Sequence, residues 1–221
     1  MGNCLFNLRL SWLSNPSNAG LLQRGLRGLE KESLRVDCKG YLSRGSHPEG
    51  LGSALTHPYL TTDYSEAMLE FVTPPSPTNS ETVAFLSDLH AFVMQNMQCE
   101  LLWAQSMPCV MPPELEIPVA DYGTSNQGML KTVYRNGLGY RYGKKMQAIS
   151  GIHFNYSLPV EFWEPYRDYE QSSQELEEFI SSQYMGLIRN YRRYAWLLIY
   201  LYGASPALSK SFLQKPNSVI E

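Results

Sequence analysis

The sequence has few cysteines and lacks the short motifs that identify many nucleotide-binding proteins and hydrolases. Its 221 residues include 4 cysteines, and neither these nor the 4 histidines have zinc-finger spacing. No G-x-x-x-x-G-K-[ST] phosphate loop, G-x-G-x-x-G turn, G-x-S-x-G elbow or H-E-x-x-H helix occurs. We therefore expect neither a structural zinc site nor a glycine-loop nucleotide site. Four cysteines without a disulfide pattern favour a reducing compartment.

Charge of one sign and long apolar runs are also missing. Lys and Arg number 18 against 21 Asp and Glu, so the net charge of −3 gives no basic field for nucleic acid. The longest apolar run, 195–202, is too short to cross a bilayer. The N-terminal residues are interrupted by Asn7 and Arg9, which argues against a signal peptide. We expect a cytoplasmic protein that binds neither nucleic acid nor membrane.

Local patterns predict strands mixed with long helices. Residues 27–36 followed by a Lys39-Gly40 turn read as a β-hairpin, and 152–157 alternate apolar and polar residues as a strand does. The stretch 61–74 fits a strand or a helix. Helices are predicted over 4–13, which the turn cluster Ser14–Asn18 ends, and over 127–146. Two more helices are predicted to follow the possible capping boxes Thr78/Glu81 and Ser172/Glu175. The last helix carries an apolar stripe from Leu176 to Tyr202, which we expect to pack in a core. The order favours an α+β fold, with a largely antiparallel sheet and helices on one face.

Acidic residues in apolar surroundings are the first candidate site. Glu30 and Glu32 stand two apart on a predicted strand, so both side chains project from the face that continues with Leu34 and Val36. Two close carboxylates repel each other unless cations neutralise them, and hard divalent cations prefer oxygen ligands. The alternative is a solvated edge strand.

Two further segments add to this site. Asp63, Glu66 and Glu70 lie among apolar residues and are either a buried site or an exposed polar stripe. His153 and Asn155 share the polar face of the alternating strand. A lone histidine is more often a hydrogen-bonding residue than a metal ligand. Together the three segments would form a carboxylate-lined, cation-binding sheet face.

Several long strings resemble glutamate–cysteine ligases of the proteobacterial type. The resemblance runs from about Gln23 to about Pro216 and is carried by RGLEKESLRV, HPEGLGSALTHPYLTTDYSEAMLEFVTP, SMPC, YGTSNQG, YRNGLGYRYGKKMQAISGIHFNYSLP and LIRNYRRYAWLLIYLYGASPAL. It implies a glutamine-synthetase-like fold with a curved, mostly antiparallel sheet and helices packed on one face. It also implies a monomer that joins L-glutamate to L-cysteine with ATP and Mg²⁺, the first step of glutathione biosynthesis.

The resemblance assigns roles by position. Glu30, Glu32 and Glu70 match catalytic magnesium ligands, and His153 matches a further member of that cluster. Asp63 matches an acid that accepts from the α-ammonium of glutamate, and Ile149 matches a neighbour of that group. The residues that match the cysteine pocket are Tyr134, Arg135, Leu138 and Asn155.

Length is the main departure from the family, whose members are more than twice as long. We expect residues 21–221 to be the N-terminal part of the catalytic domain, and 1–20 to be a poorly matched extension. Two alternatives stay open: an inactive fragment that at most binds metal, and a related carboxylate–amine ligase with another acceptor.

Overall fold

The computed structural model describes residues 2–203 and 208–213. In chain order, its helices are α1 (Gly2–Ser14), α2 (Pro16–Leu22), α3 (Asn79–Asn96), α4 (Asn126–Tyr142), α5 (Val160–Tyr169) and α6 (Leu176–Tyr202). Its strands are β1 (Leu26–Asp37), β2 (Leu60–Thr62), β3 (Met68–Val72), β4 (Glu100–Leu102) and β5 (Ile152–Ser157). The chain divides into two compact units, Met1–Leu26 with Tyr156–Pro206 and Arg27–Asn155 with Ala207–Glu221.

One five-stranded sheet organises the unit Arg27–Asn155. Its order is β2-β3-β1-β4, and β5 also pairs with β1. The β1–β3, β1–β4 and β2–β3 pairs are antiparallel. The expected α+β class with a mostly antiparallel sheet is therefore confirmed. Because β1 has partners on both sides, the alternative of a solvated edge strand was wrong.

Each face of this sheet is covered in a different way. On one face Leu69 and Phe71 pack against the buried α3 residues Leu89 and Val93. On the other face Leu34 belongs to a cluster with Val36, Met68, Met111 and Ile117. That second face also carries Glu30, Glu32 and Glu70, since side chains alternate along a strand. The acids therefore lie beside a fully buried core.

The ambiguous stretch 61–74 forms β2, a turn and β3. The hairpin after β1 is reduced to one antiparallel bridge, Val36 to Leu42, with Gly40 at a φ of +82° in its turn. The Thr78/Glu81 prediction is confirmed, because the Thr78 side chain accepts from Glu81 N at the start of α3.

Helices α1, α2, α5 and α6 form most of the unit that contains the N-terminal residues. Its core is Phe162, Trp163 and Phe179, surrounded by half-buried residues of α1, α2, α5 and α6. The turn cluster after α1 does end that helix, but its Asn15 side chain accepts from Ser17 N and caps α2, which the sequence reading missed. Helix α5 was also missed.

Two expectations for α6 were wrong. The helix begins at Leu176 without a side-chain cap, and Ser172 instead bonds to Gln174. Its predicted core stripe is half-buried from Leu176 to Tyr184, but further along the helix Leu187, Tyr191, Leu198 and Tyr202 are exposed. The predicted stop at Pro206 lies outside the described residues. Over the part of the chain that the structure describes, no helix is long and apolar enough to span a membrane.

Candidate functional site

Four acidic side chains meet on one face of the sheet. In the antiparallel register Glu32 on β1 stands opposite Glu70 on β3. Glu30 projects from the same face two residues earlier on β1. Thr61 pairs with Glu70, so Asp63, two residues beyond Thr61, continues that face at the end of β2. The sequence prediction that these acids share a face is confirmed for Glu30, Glu32 and Glu70 by the register.

β5 and Gly151, the residue directly before it, supply polar groups to the two β1 glutamates. His153 Nδ1 lies 3.0 Å from Glu30 Oε2, and Asn155 Nδ2 donates to Glu30 Oε1 at 2.9 Å. Gly151 N donates to Glu32 Oε2 at 2.7 Å, while Glu32 N donates to Gly151 O at 3.0 Å. These contacts fix the orientation of both carboxylates relative to the sheet.

Electrostatics in this cluster disfavour four free negative charges. Burial, followed by repulsion from Asp63, Glu32 and Glu30, raises the pKa of Glu70 to about 7. The pKa of Glu32 is also raised, mainly by burial, although the Gly151 hydrogen bond opposes this. The hydrogen bond to Glu30 raises the pKa of His153. A positive charge at this face would therefore relieve repulsion among its acids.

A hard divalent cation suits this donor set. Carboxylate oxygens are the preferred ligands of Mg²⁺, and the raised pKa values of Glu32 and Glu70 mark charge that such an ion would neutralise. Among residues 2–203 and 208–213, however, no three His, Cys, Asp or Glu side chains are placed to hold a metal ion together. The face offers suitable ligands without a finished coordination sphere.

Glu66 does not belong to this acid cluster. Its Oε1 accepts from His47 N at 2.8 Å and its Oε2 accepts from Asp121 N at 2.9 Å. The carboxylate thus joins two loops, which explains an acid in an apolar stretch without a functional role.

The residues expected around a cysteine pocket lie in three places. Tyr134 is exposed and Leu138 is half-buried, one turn apart on α4 as predicted. Arg135 donates from Nε to the backbone oxygen of Asp63, so it contacts the turn that bears that acid. Asn155 contacts Glu30 instead. Ile149 is half-buried in the segment that leads to β5.

Two residues of this site were missed in the sequence. Gly151 contacts Glu32, and the closest atom to a Cβ added there would be His153 Nε2 at 3.3 Å. A glycine directly before an alternating strand is the signal that points to such a close approach. The Tyr122 hydroxyl donates to Thr62 O next to Asp63, and only the place of Tyr122 in the string YGTSNQG singles it out.

Comparison with known sequences gives one family. The sequence model described as glutamate-cysteine ligase matches residues 10–221. The chain is 53% identical to a glutamate–cysteine ligase of Azotobacter vinelandii over 98% of its own length, and 52% identical to one of Alcanivorax borkumensis over 93%. It spans only 42% and 39% of those two proteins.

Comparison with solved structures agrees. A glutamate–cysteine ligase of Francisella tularensis in complex with AMP has a TM-score of 0.80 and 40% identity, over 87% of this chain and 37% of that one. A bifunctional glutathione synthetase of Pasteurella multocida has a TM-score of 0.78 and 34% identity, over 85% of this chain and 24% of that one. The chain therefore spans about two fifths or less of the relatives it matches.

Proposed function

The chain belongs to the glutamate–cysteine ligase family, and we propose that it contributes to ATP-dependent joining of L-glutamate and L-cysteine in glutathione biosynthesis. ATP would transfer its γ-phosphoryl group to the γ-carboxylate of glutamate and release ADP. The amine of cysteine would then attack the acyl phosphate, so that an amide bond forms and inorganic phosphate leaves. Phosphorylation is needed because a carboxylate is a poor electrophile.

The observation that supports this role most directly is the shared face of Glu30, Glu32, Glu70 and Asp63. We propose that Glu30, Glu32 and Glu70 would hold Mg²⁺ in the complete enzyme, with His153 as a further ligand or as the group that orients Glu30. Bound there, Mg²⁺ would neutralise phosphate charge and align donor with acceptor. The AMP complex of the Francisella tularensis relative supports nucleotide use.

Substrate roles follow from position in the family. Asp63 would accept from the α-ammonium of glutamate, and Ile149 would lie next to that group. Tyr134 and Leu138 would provide one hydroxyl and one apolar wall for cysteine. Arg135 and Asn155 would act on that pocket indirectly. Arg135 contacts the Asp63 turn and Asn155 contacts the Glu30 carboxylate.

The whole activity would need more than the matched region. The chain spans 42% of the Azotobacter vinelandii protein, so we propose that residues 21–221 act as the N-terminal part of a larger ligase domain. We also propose that the complete enzyme is a cytoplasmic monomer. All four cysteines are free, which is consistent with a reducing compartment.

A chimera tests the proposed function. This chain would replace the matching region of the Azotobacter vinelandii ligase, and γ-glutamylcysteine would be measured with ATP, Mg²⁺, glutamate and cysteine. We expect Mg²⁺-dependent product. In the chimera, Glu30→Gln should lower turnover at least about tenfold, because one magnesium ligand loses its charge. The matched control Glu49→Gln changes an exposed acid of the same unit and should leave turnover unchanged.

Three results would contradict the proposal. Near-normal turnover of Glu30→Gln at saturating Mg²⁺ would remove the metal assignment. A chimera that folds but forms no amide would favour the alternative of a metal-binding chain without turnover. Product with amines other than cysteine, and none with cysteine, would favour a related ligase with another acceptor.

A further inference from the structure

The turn between β2 and β3 carries Asp63, and it is fastened to a loop from a distant part of the sequence. Four hydrogen bonds join the turn to residues 118–121: Ser65 Oγ and Glu66 N donate to Pro118 O at 2.8 and 3.2 Å, Ala120 N donates to Tyr64 O at 3.0 Å, and Asp121 N donates to Glu66 Oε2 at 2.9 Å. None of these bonds holds the end of the turn where Asp63 itself lies.

Tyr122 makes hydrogen bonds to the end of the turn where Asp63 lies. It is only 6% exposed, and its hydroxyl donates to Thr62 O at 2.6 Å and lies 3.3 Å from Asp63 O. The same hydroxyl accepts from Thr62 Oγ1 at 3.1 Å. A buried phenol that both donates to a backbone oxygen and accepts from a side chain fixes the backbone at the end of β2.

Two cations of α4 hold the Tyr122 ring in turn. Lys131 Nζ lies 4.9 Å and the Arg135 guanidinium carbon 4.8 Å from the ring centroid, within the range of cation–π attraction. Arg135 Nε also donates to Asp63 O. The Asp63 carbonyl is thereby approached by both the Tyr122 hydroxyl and the Arg135 guanidinium.

The start of α4 is packed closely against the backbone of Tyr122. Ser125 caps this helix by accepting from Gly128 N at 3.1 Å. A Cβ on Gly128 would lie 2.4 Å from Tyr122 O, a distance that no side chain tolerates. Gly128 therefore permits the contact that brings Lys131 and Arg135 over the ring.

We propose that Tyr122 is a positioning residue that holds the β2–β3 turn. It thereby keeps the Asp63 carboxylate on the acid face, which is the face of the sheet that also carries Glu30, Glu32 and Glu70. This inference rests on the proposed function for the importance of Asp63, but the contacts that carry it belong to the described chain alone. Tyr122 itself acts on substrate only through the turn.

Hydrogen exchange of the 221-residue chain tests the local effect. Asp63 N donates to Met68 O, and Met68 N donates to Ser65 O, so both amides report on the turn. Thr73 N donates to Leu29 O in the same sheet and serves as the reference. In Tyr122→Phe we expect the Asp63 and Met68 amides to exchange about tenfold faster relative to Thr73. The matched control Tyr140→Phe alters a 96% exposed tyrosine and should change neither ratio.

A double-mutant cycle in the chimera tests the link to the acid face, with Mn²⁺ as the probe. Tyr122→Phe should weaken Mn²⁺ binding a few-fold in the wild-type background and leave it unchanged in the Asp63→Asn background, because the effect passes through the Asp63 charge. A purely structural role would weaken binding equally in both backgrounds.

The outcomes separate this inference from the proposed function. Equal acceleration of the Asp63, Met68 and Thr73 amides would overturn the positioning role, as would the same loss of Mn²⁺ affinity in both backgrounds. If the chimera with neither substitution binds no Mn²⁺, the proposed metal role fails, while the exchange ratios still decide whether Tyr122 holds the turn.

Discussion

At the residue scale, the acid face combines charges that the fold alone leaves unfavourable. Glu32 and Glu70 are directly opposed across β1 and β3, where like charges destabilise a sheet. Gly151, His153 and Asn155 offset part of this repulsion through the hydrogen bonds they give to the β1 glutamates. Glu70 receives no such bond among the described residues, and burial together with repulsion from Asp63, Glu32 and Glu30 raises its pKa to about 7. Such uncompensated charge is characteristic of functional sites.

The pH dependence of stability should reveal this group. The folded-state pKa of Glu70, about 7, lies above its ordinary value of 4.5. The contribution of Glu70 to the free energy of unfolding is therefore fully present below pH 4.5 and is lost as the pH rises through about 7. Glu70→Gln removes that titration. Between pH 4.5 and about 7, we expect the free energy of unfolding of Glu70→Gln to rise relative to that of wild type. The rise should be on the order of 1–3 kcal/mol after allowance for solvent screening.

Urea unfolding at half-unit pH steps would measure the difference between wild type and Glu70→Gln. Comparing the two proteins cancels contributions of the other titratable groups. Adding Mg²⁺ at pH 8 should narrow the difference, since a bound cation would favour the ionised carboxylate of the wild type. A difference that stays constant across the window would contradict the pKa of Glu70.

Residue-scale prediction succeeded where alternation along a strand decides the outcome. The spacing of Glu30 and Glu32 places both side chains on one face whatever the strand pairs with. The same argument could not separate Glu66 from Asp63 and Glu70, because the turn between β2 and β3 interrupts the alternation. The contact of Arg135 with Asp63 was likewise not predictable, since it depends on where α4 packs.

At the element scale, the two possible capping boxes had the same sequence pattern and different outcomes. Thr78 caps α3, whereas α6 begins at Leu176, beyond the reach of the Ser172 side chain. Ser172 bonds instead with Gln174, a short-range alternative that serine side chains readily form. The local sequence pattern indicates a possible cap, but a competing local hydrogen bond such as that of Ser172 with Gln174 determines whether the cap forms.

These two residues provide a matched test of helix capping. Thr78→Ala should cost about 1 kcal/mol of unfolding free energy, because Glu81 N loses its side-chain acceptor. Ser172→Ala should stay within about 0.5 kcal/mol of wild type, since no helix depends on it. Chemical unfolding monitored by helical circular dichroism would measure both. Equal losses in the two variants would mean that the Thr78 bond is not a stabilising cap.

At the scale of the whole molecule, burial was the property that the sequence predicted least well. The spacing of apolar residues correctly predicted helix α6, yet most of the second half of this helix is exposed, with Ile199 72% and Tyr202 80% accessible. The alternating residues Ile152 and Phe154 of β5 are exposed as well. Periodicity identifies which side chains share a face, but it cannot state what covers that face. Exposed apolar surface on this scale is typical of a surface that contacts other protein.

The activity of the 221-residue chain alone follows from the same facts. Its acid face has no three side chains, within the described residues, that are placed to hold a metal ion, and the chain spans 42% of the Azotobacter vinelandii ligase. Transfer of a phosphoryl group requires that metal, nucleotide and acceptor be aligned together. We therefore expect the isolated chain to form no γ-glutamylcysteine from ATP, glutamate and cysteine, in contrast to the product that we expect from the chimera. Product above a no-enzyme control, measured by thiol-specific chromatography, would show that this part of the ligase aligns all three substrates by itself.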